Sequence, residues 1–179
     1  MKIAGLERSL PLCPVSDDLY IAAFIMFNDV ELTRAAATEL LKKAPPFDII
    51  ITAESKGIPL AYEMARQSGN CPYIVARKKA KLYMKDVVKF SVKSITTDHI
   101  QTLCIGKDER EVMEGKRILI VDDVISTGDS IAVIEKLVEH VGGKIVGKMS
   151  VLAEGDAPHR SDITYLEKLP LFSPDGTPK

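Results

Sequence analysis

The sequence predicts an α/β protein built on a doubly wound parallel sheet, with a small hood and a flexible hairpin lid. Short apolar runs alternate with helical periodicities through the middle of the chain, as in parallel sheets that helices cover on both faces. Two of these runs lead through polar turns, residues 53–57 and 122–130, into a predicted helix. Because the carboxyl ends of parallel strands meet at one edge of the sheet, both turns are expected to face one ligand.

The composition favours a single domain, residues 1–179, without a general affinity for anionic partners. With 46% hydrophobic residues, the chain is long enough for one buried core. Its net charge of -1 gives no field that would attract nucleic acid or a membrane surface. The three cysteines are widely spaced, which disfavours structural zinc and a disulfide framework. Without a recognisable signal peptide or an apolar run of ~20 residues, we expect a cytoplasmic protein with reduced thiols.

The N-terminal part is predicted to contain an arm, an apolar pad and a helix. Residues 1–18 lack periodicity, so we expect an irregular arm. Residues 20–27 are apolar and aromatic, and they form either a strand or a buried pad. Together with the arm they are expected to form the small hood, which comprises about residues 1–30. Residues 31–44 carry an apolar stripe at helical spacing, with acids early and lysines late, as the helix dipole favours.

A strand, a polar turn, a helix and another strand follow. The β-branched run at residues 47–52 predicts the first of these strands, and residues 73–76 predict the second. Residues 58–67 have the periodicity of a helix. The intervening turn, residues 53–57, has the sequence AESKG.

Four cations lie within residues 77–81, RKKAK. Such a run is usually a solvated face. At the end of a strand of this sheet, however, it is more typical of a clamp for a polyanion.

Residues 82–101 are predicted to form the lid. Two weakly alternating pieces, residues 87–92 and 100–105, indicate a hairpin. A mobile hairpin at this place would exclude water from the site. Residues 108–115 are expected to be a charged link to the next strand.

The most informative stretch is residues 117–130, RILIVDDVISTGDS. It contains a buried strand, the pair Asp122 and Asp123 at the end of that strand, and a small hydroxyl-rich turn. Two carboxylates at this place suit hydroxyl groups or a hard cation such as magnesium. The helix predicted for residues 131–141 directs free N–H groups and a positive dipole end at the turn, which favours a phosphate. The stretch therefore predicts a site for a sugar phosphate.

The remaining residues complete the sheet and the hood. Residues 144–152 indicate a last central strand, and residues 163–166 indicate an edge strand. The region 153–179 is expected to form the C-terminal part of the hood and a tail that frays.

These motifs resemble those of the type I phosphoribosyltransferases, in particular the purine branch, over residues 20–172. Residues 117–130 resemble the family's signature for 5-phosphoribosyl 1-pyrophosphate (PRPP). Residues 53–57 resemble its pyrophosphate loop, which often contains a non-proline cis peptide. Residues 76–82, ARKKAKL, resemble the A/I-R-K-x-x-K-L run of adenine and xanthine phosphoribosyltransferases, and residues 90–92 resemble the Y-S-x stretch of their flexible loop.

The resemblance implies an enzyme of purine salvage that transfers the phosphoribosyl group of PRPP to a purine, releasing pyrophosphate. It implies that Asp122 and Asp123 hold the ribose 2′- and 3′-hydroxyls, with Mg²⁺ bound together with PRPP or pyrophosphate and no metal site made by the protein alone. We expect a homodimer and no nucleic-acid partner. The residues expected at the pyrophosphate are Ser55, Lys56, Gly57, Arg77, Lys78 and Lys81, of which Arg77 and Lys81 are expected to be catalytic together with the acidic pair. Those expected at the 5-phosphate are Ser126, Thr127, Gly128, Asp129 and Ser130.

The sequence favours adenine as the base, with a 6-oxopurine as the alternative. We expect the purine to stack on Phe24 or Phe27, with Asn28 and Glu154 nearby. Glu154 can accept a hydrogen bond from an exocyclic amine, which favours adenine. Lys93 stands at the loop position where adenine-specific enzymes carry a glutamate, and this favours a 6-oxopurine such as xanthine or hypoxanthine.

Two other functions compete with the enzyme. A PRPP-sensing transcriptional regulator is disfavoured because no basic DNA-binding segment precedes residue 20. A simple nucleotide-binding protein is disfavoured because neither of the common glycine-rich phosphate motifs occurs in the sequence.

Overall fold

The computed structural model describes residues 1–93 and 100–179, which form a parallel sheet with helices on both faces and three small antiparallel pieces. In chain order the strands are β1 (Lys2–Ile3), β2 (Leu6–Glu7), β3 (Leu12–Ser16), β4 (Leu19–Ala22), β5 (Ile49–Ala53), β6 (Tyr73–Ala76), β7 (Val88–Lys93), β8 (Ile100–Ile105), β9 (Arg117–Ile125), β10 (Lys144–Glu154), β11 (Thr164–Leu169) and β12 (Leu171–Phe172). The helices are α1 (Val30–Leu41), α2 (Ile58–Gln67), α3 (Lys107–Met113) and α4 (Asp129–His140).

The central sheet has five parallel strands in the order β11–β10–β9–β5–β6. From β5 the chain proceeds to β6 on one side and later to β9, β10 and β11 on the other. The strand order therefore reverses between β5 and β9, and ligands bind beside the carboxyl ends of the strands at such a reversal. The predicted fold class is confirmed, and the two polar turns follow the two strands that flank this point.

Strand β9 is longer than the sequence predicts. Its pairing with β5 stops at Ile120, but its pairing with β10 continues to Ile125. The acidic pair therefore lies within the strand, in the part of β9 that still pairs with β10 but no longer pairs with β5. Asp122 and Asp123 thereby gain a rigid backbone next to an open cleft.

The alternation of side chains along the strands produces two buried cores. On one face Ile51 and Ile120 pack with the apolar stripe of α4, including Ile134. On the other face Ile50 and Leu119 pack with residues of α1 and α2. Complete burial of a side chain of this size stabilises the fold by about 1.5–3 kcal/mol. These cores fix the strands whose ends carry the polar turns.

The N-terminal arm and the C-terminal tail are more regular than predicted. Strands β1 and β2 form a short hairpin, and β3, β4 and β12 form an antiparallel sheet that is the hood. The tail folds back, with the amide of Lys179 donating to the carbonyl of Leu171 over 2.8 Å. The prediction of an irregular arm is wrong, because β1 pairs with β2 and β3 pairs with β4. Strand β12 near the C-terminus pairs with β4, a partner that local sequence does not show. The fraying of the tail stays a prediction.

The predicted hairpin is present as β7 and β8, which pair in antiparallel register. The apolar side chains of β7, Val88, Phe90 and Val92, pack against the core on the α4 face. The centroids of the Phe90 and His140 rings are 5.1 Å apart. Leu103 and Ile105 of β8 are buried in the same core, so both strands are anchored. The mobility of the lid stays a prediction, and residues 94–99 of the predicted lid lie outside the described residues.

The predicted charged link is the helix α3, which buries a single residue, Met113. A helix with so few buried positions has no apolar stripe by which its sequence could be recognised. Among the described residues, no helix has both the length and the apolar character needed to cross a membrane.

Candidate active site

The acidic pair forms the floor of the cleft between β5 and β9. The side chain of Asp123 is only 5% exposed, and its Oδ2 lies 3.4 Å from Nζ of Lys56. The Asp123 amide donates to Oδ1 of Asp122 over 2.9 Å. Burial, followed by the charge of Asp123, raises the pKa of Asp122 well above its usual range. Hydroxyl donors or a cation that relieve the repulsion between the carboxylates are therefore favoured here.

The turn after β5 lies directly against this pair. It contains a cis peptide bond between Glu54 and Ser55. A Cβ atom at Gly57 would collide with Oγ1 of Thr52 and would lie 2.9 Å from Oδ1 of Asp122. Only glycine permits this close approach, so the first polar turn and the acidic pair form one surface.

Two buried polar atoms at this edge have no hydrogen-bond partner within the described part of the chain, Oγ1 of Thr52 and Oδ2 of Asp123, and the latter has only the longer ion pair with Lys56. Leaving such a group unpaired costs about 1–3 kcal/mol. Proteins retain this cost mainly where a ligand or an ion completes the bonding. The arrangement therefore fits a polar ligand at the reversal of the strand order.

The cationic run is docked onto the same turn through Glu54. The Lys78 amide donates to Oε2 of Glu54 over 3.0 Å, while Arg77 Nη1 and Lys81 Nζ lie 3.5 and 3.8 Å from Oε1. The Lys78 amide, and then the charges of Lys81 and Arg77, lower the pKa of Glu54. The sequence did not identify Glu54 as a functional residue, since pairing of Ala53 with Ala76 is what brings the two segments together.

The second polar turn precedes α4 and has Gly128 at a φ of 82°. The Thr127 hydroxyl donates to Oδ2 of Asp129 over 3.0 Å, so this carboxylate is engaged within the turn. Gln101 of the hairpin donates to Oγ of Ser130 over 3.0 Å. The turn thus combines hydroxyl groups with the amino end of a long helix, the combination that suits a phosphate.

A cavity of about 500 Å³ connects this turn with the hood. Its apolar side comes from Leu19 and Ile21 of β4 and Leu171 of β12, and its polar side includes Ser126 and Glu154. Burial raises the pKa of Glu154, against the opposing effect of Lys56. The sequence did not single out the three apolar residues, because they converge only when the hood is assembled.

The aromatic residues lie elsewhere. Phe24 is buried in the core beside α1 and α2. Phe27 and Asn28 line a separate cavity of about 460 Å³ together with residues of both helices, including Tyr62. Neither phenylalanine lines the cavity that contains Glu154.

Two further predictions concern this site, the position of Lys93 in the lid and the absence of a metal site made by the protein alone. Lys93 belongs to β7, but its side chain lies outside the described residues. Within residues 1–93 and 100–179, no three acidic, histidine or cysteine side chains converge as a metal cluster. The adjacent carboxylates Asp122 and Asp123 instead fit the usual manner of binding Mg²⁺, in which one or two carboxylates share the ion with substrate phosphates.

Residues 30–169 match the phosphoribosyl transferase domain family. The chain is 34% identical over 149 residues to the adenine phosphoribosyltransferase of Cenarchaeum symbiosum, covering 82% of this chain and 84% of the relative. It is 31% identical over 149 residues to the hypoxanthine/guanine phosphoribosyltransferase of Methanococcus voltae, covering 82% and 75% of the two chains.

Among solved structures, the chain is similar to the APRTase of Giardia lamblia complexed with 9-deazaadenine. The TM-score is 0.74 at 18% identity, with 94% of this chain and 98% of that chain covered. At this identity the likeness concerns the fold. Together with the family match and the relatives, it shows that the chain belongs to the purine branch of the type I phosphoribosyltransferase family, as its motifs predict.

Proposed function

We propose that this phosphoribosyltransferase transfers the phosphoribosyl group of PRPP to adenine, giving a nucleoside monophosphate and pyrophosphate. The observation that carries the choice of base is the half-buried carboxylate of Glu154 in the cavity between the phosphate turn and the hood. A carboxylate accepts a hydrogen bond from the amine of adenine, whereas in its ionised form it repels the oxygen of a 6-oxopurine. The adenine phosphoribosyltransferase relative supports the same base.

The two polar turns and the cationic run would divide the substrate between them. Asp122 and Asp123 accept from the ribose 2′- and 3′-hydroxyls. The turn that precedes α4 receives the 5-phosphate. Ser55, Lys56 and Gly57 bind the pyrophosphate on one side, and Arg77, Lys78 and Lys81 bind it on the other. The distances that join Glu54 to the cationic run support this division, because they give the two pyrophosphate segments one fixed geometry.

The chemistry follows from where charge develops. When the bond between C1 and the pyrophosphate oxygen breaks, the ribose ring becomes positive and pyrophosphate takes up the electron pair. Lys56, Arg77 and Lys81 stabilise the leaving group, while Asp122 and Asp123 hold the sugar in place. A ring nitrogen of the purine attacks C1 from the opposite face, and the proton of that nitrogen passes to water. No covalent intermediate with the enzyme is required.

Mg²⁺ would enter with PRPP, held by its phosphate oxygens beside Asp122 and Asp123. When bound, the ion neutralises part of the charge of the diphosphate. Oδ2 of Asp123, which has the Lys56 ammonium at 3.4 Å but no hydrogen bond within the described residues, supports this placement.

The base would stack against the apolar side of the cavity, formed by Leu19, Ile21 and Leu171. This position differs from the predicted stacking on Phe24 or Phe27. It is supported by the shared cavity of these three residues with Glu154.

A turnover panel tests the proposal. Adenine, hypoxanthine, guanine, xanthine and orotate are each supplied with PRPP and Mg²⁺, and pyrophosphate release is measured. We expect adenine to be preferred over hypoxanthine by about tenfold or more, the consequence of one mismatched buried hydrogen bond. Glu154→Gln should narrow this preference, because an amide both donates and accepts, while the exposed Glu167→Gln should leave it unchanged.

A 6-oxopurine enzyme is the second candidate. The position of Lys93 and the hypoxanthine/guanine phosphoribosyltransferase relative favour it. A preference for hypoxanthine, guanine or xanthine in the same panel would select this candidate. Tight PRPP binding without turnover of any base would instead indicate a PRPP-sensing regulator.

We also propose a cytoplasmic homodimer. The large apolar side chains of Ile25, Phe27, Val30 and Tyr62 are exposed near α1 and α2, and a second copy would cover them. Sedimentation of the parent at twice the chain mass of 19.6 kDa would support the dimer. A monomer at micromolar concentration would contradict it.

A further inference from the structure

The side chain of Arg160 is held rigidly beside the phosphate turn. Its Nε and Nη2 donate to the two carboxylate oxygens of Asp162 over 2.9 and 2.8 Å. Asp162 also pairs with Lys148, which in turn pairs with Glu135 of α4. A guanidinium gripped at two nitrogens loses little further entropy when its third nitrogen binds a ligand.

The third nitrogen, Nη1, points at the turn. A Cβ atom at Gly128 would collide with it, so the guanidinium occupies the space that a side chain at Gly128 would need. Arg160 also lines the cavity that contains Ser126, Thr127 and Asp129. A positively charged donor is therefore directed into the region expected to receive the 5-phosphate.

The charge balance of the cavity requires such a donor. The phosphate turn contains one acid, Asp129, and no cation. Two more acids, Glu154 and Asp156, line the cavity, and Arg160 is the single cation among its described lining residues. Hydroxyl groups and a helix terminus alone would leave a phosphate dianion beside an uncompensated carboxylate.

We propose that Arg160 is a further binding residue for the 5-phosphate of PRPP, donating from Nη1 and compensating Asp129. Asp162 and Lys148 are positioning residues that fix the guanidinium. The assignment rests on the proposed function, since it requires that the turn before α4 binds the 5-phosphate. The alternative is a purely structural role, in which the network only connects the hood with α4. This network consists of Arg160, Asp162, Lys148 and Glu135.

Separate binding of the two halves of the substrate distinguishes these readings. Ribose 5-phosphate and pyrophosphate are titrated calorimetrically into the parent, into Arg160→Gln and into Lys144→Gln, a control that removes one cation at the opposite edge of the sheet. For Arg160→Gln we expect the affinity for ribose 5-phosphate to fall by at least about tenfold, while the affinity for pyrophosphate stays unchanged. Arg160→Lys retains the positive charge but lacks the planar guanidinium group. Its affinity for ribose 5-phosphate should lie between those of the parent and Arg160→Gln, and it provides the measurement if Arg160→Gln does not fold.

Four outcomes would overturn the inference or its basis. Unchanged ribose 5-phosphate affinity in Arg160→Gln, or an equal loss for both ligands, returns the network to its structural role. Asp162→Asn should reproduce part of the loss, because it releases the guanidinium; unchanged binding in this variant removes the positioning role. A parent that binds neither PRPP nor ribose 5-phosphate contradicts the proposed function itself.

Discussion

Gly57 is the residue at which the turn that follows β5 meets the carboxylate of Asp122. Its missing side chain is what allows Thr52 and Asp122 to approach the turn. The sequence could suggest this residue, because glycine in a polar turn between a strand and a helix is a recognisable signal. Glu54 and Arg160 gave no such signal, since the partners that define their roles are brought to them by strand pairing and by the assembly of the hood.

Replacement of Gly57 by Ala should impair binding through this contact. The added methyl group must displace Thr52 or the Asp122 carboxylate, so PRPP affinity should fall by about tenfold or more. Calorimetry measures the loss, and thermal unfolding monitors the fold. The double variant Thr52→Ala/Gly57→Ala removes the closest contact and should recover part of the affinity. Unchanged binding in Gly57→Ala would show that the turn and the acidic pair are not coupled.

At the scale of elements, regular pieces with a strong local pattern were predictable. The bounds of α2 and β6 agree with the sequence prediction, because an apolar stripe or a β-branched run defines each of them. The helix α3 and the strands of the arm were missed. Helix α3 buries a single residue, β1 and β2 have two residues each, and β3 is almost entirely exposed, so none of them has a periodic pattern of buried residues.

The role of the cationic run, residues 77–81, can be tested by single substitutions. If Arg77 and Lys81 bind pyrophosphate, replacing either by Ala should weaken inhibition by pyrophosphate and lower turnover. The melting temperature should change little, because these ion pairs are partly exposed. Lys79→Ala, in the same run, is the matched control. A variant of Arg77 or Lys81 with normal turnover and a lower melting temperature would assign the run a structural role.

For the molecule as a whole, two ion pairs away from the cleft link stability to pH. Arg117 holds the pKa of Asp48 at about 2, and Arg66, helped by Gln67, holds that of Glu63 at about 2. Both folded values lie below the unfolded values of about 4. The carboxylates therefore stabilise the fold above pH ~4, and this contribution is lost as the pH falls toward ~2.

The free energy of unfolding should accordingly decrease between about pH 4 and pH 2. Denaturant titrations at a series of pH values measure this decrease. The variant Asp48→Asn should show a shallower slope, because the amide cannot titrate, while the exposed Asp108→Asn should keep the parental slope. An identical slope in Asp48→Asn would remove this pair from the explanation.

The fold and the acidic signature could be predicted because they depend on local pattern, whereas the binding surface depends on what the topology assembles. The reversal of strand order between β5 and β9 brings together turns separated along the chain. The hood adds Leu19, Ile21 and Leu171 from both ends of the sequence. This assembly explains why the predicted aromatic stacking residues and the residues that share the cavity with Glu154 differ.

The most direct test of the central claim is calorimetry of PRPP binding in the presence of Mg²⁺, with the parent and with Asp123→Asn. The substitution preserves size but removes the buried charge that would hold the ribose hydroxyls, and hydrogen bonds to charged groups contribute about 1.5–3 kcal/mol each. We expect the parent to bind PRPP, Asp123→Asn to bind it at least about tenfold more weakly, and the surface variant Asp108→Asn to match the parent. Equal affinity of Asp123→Asn and the parent would show that Asp123 does not hold the ribose.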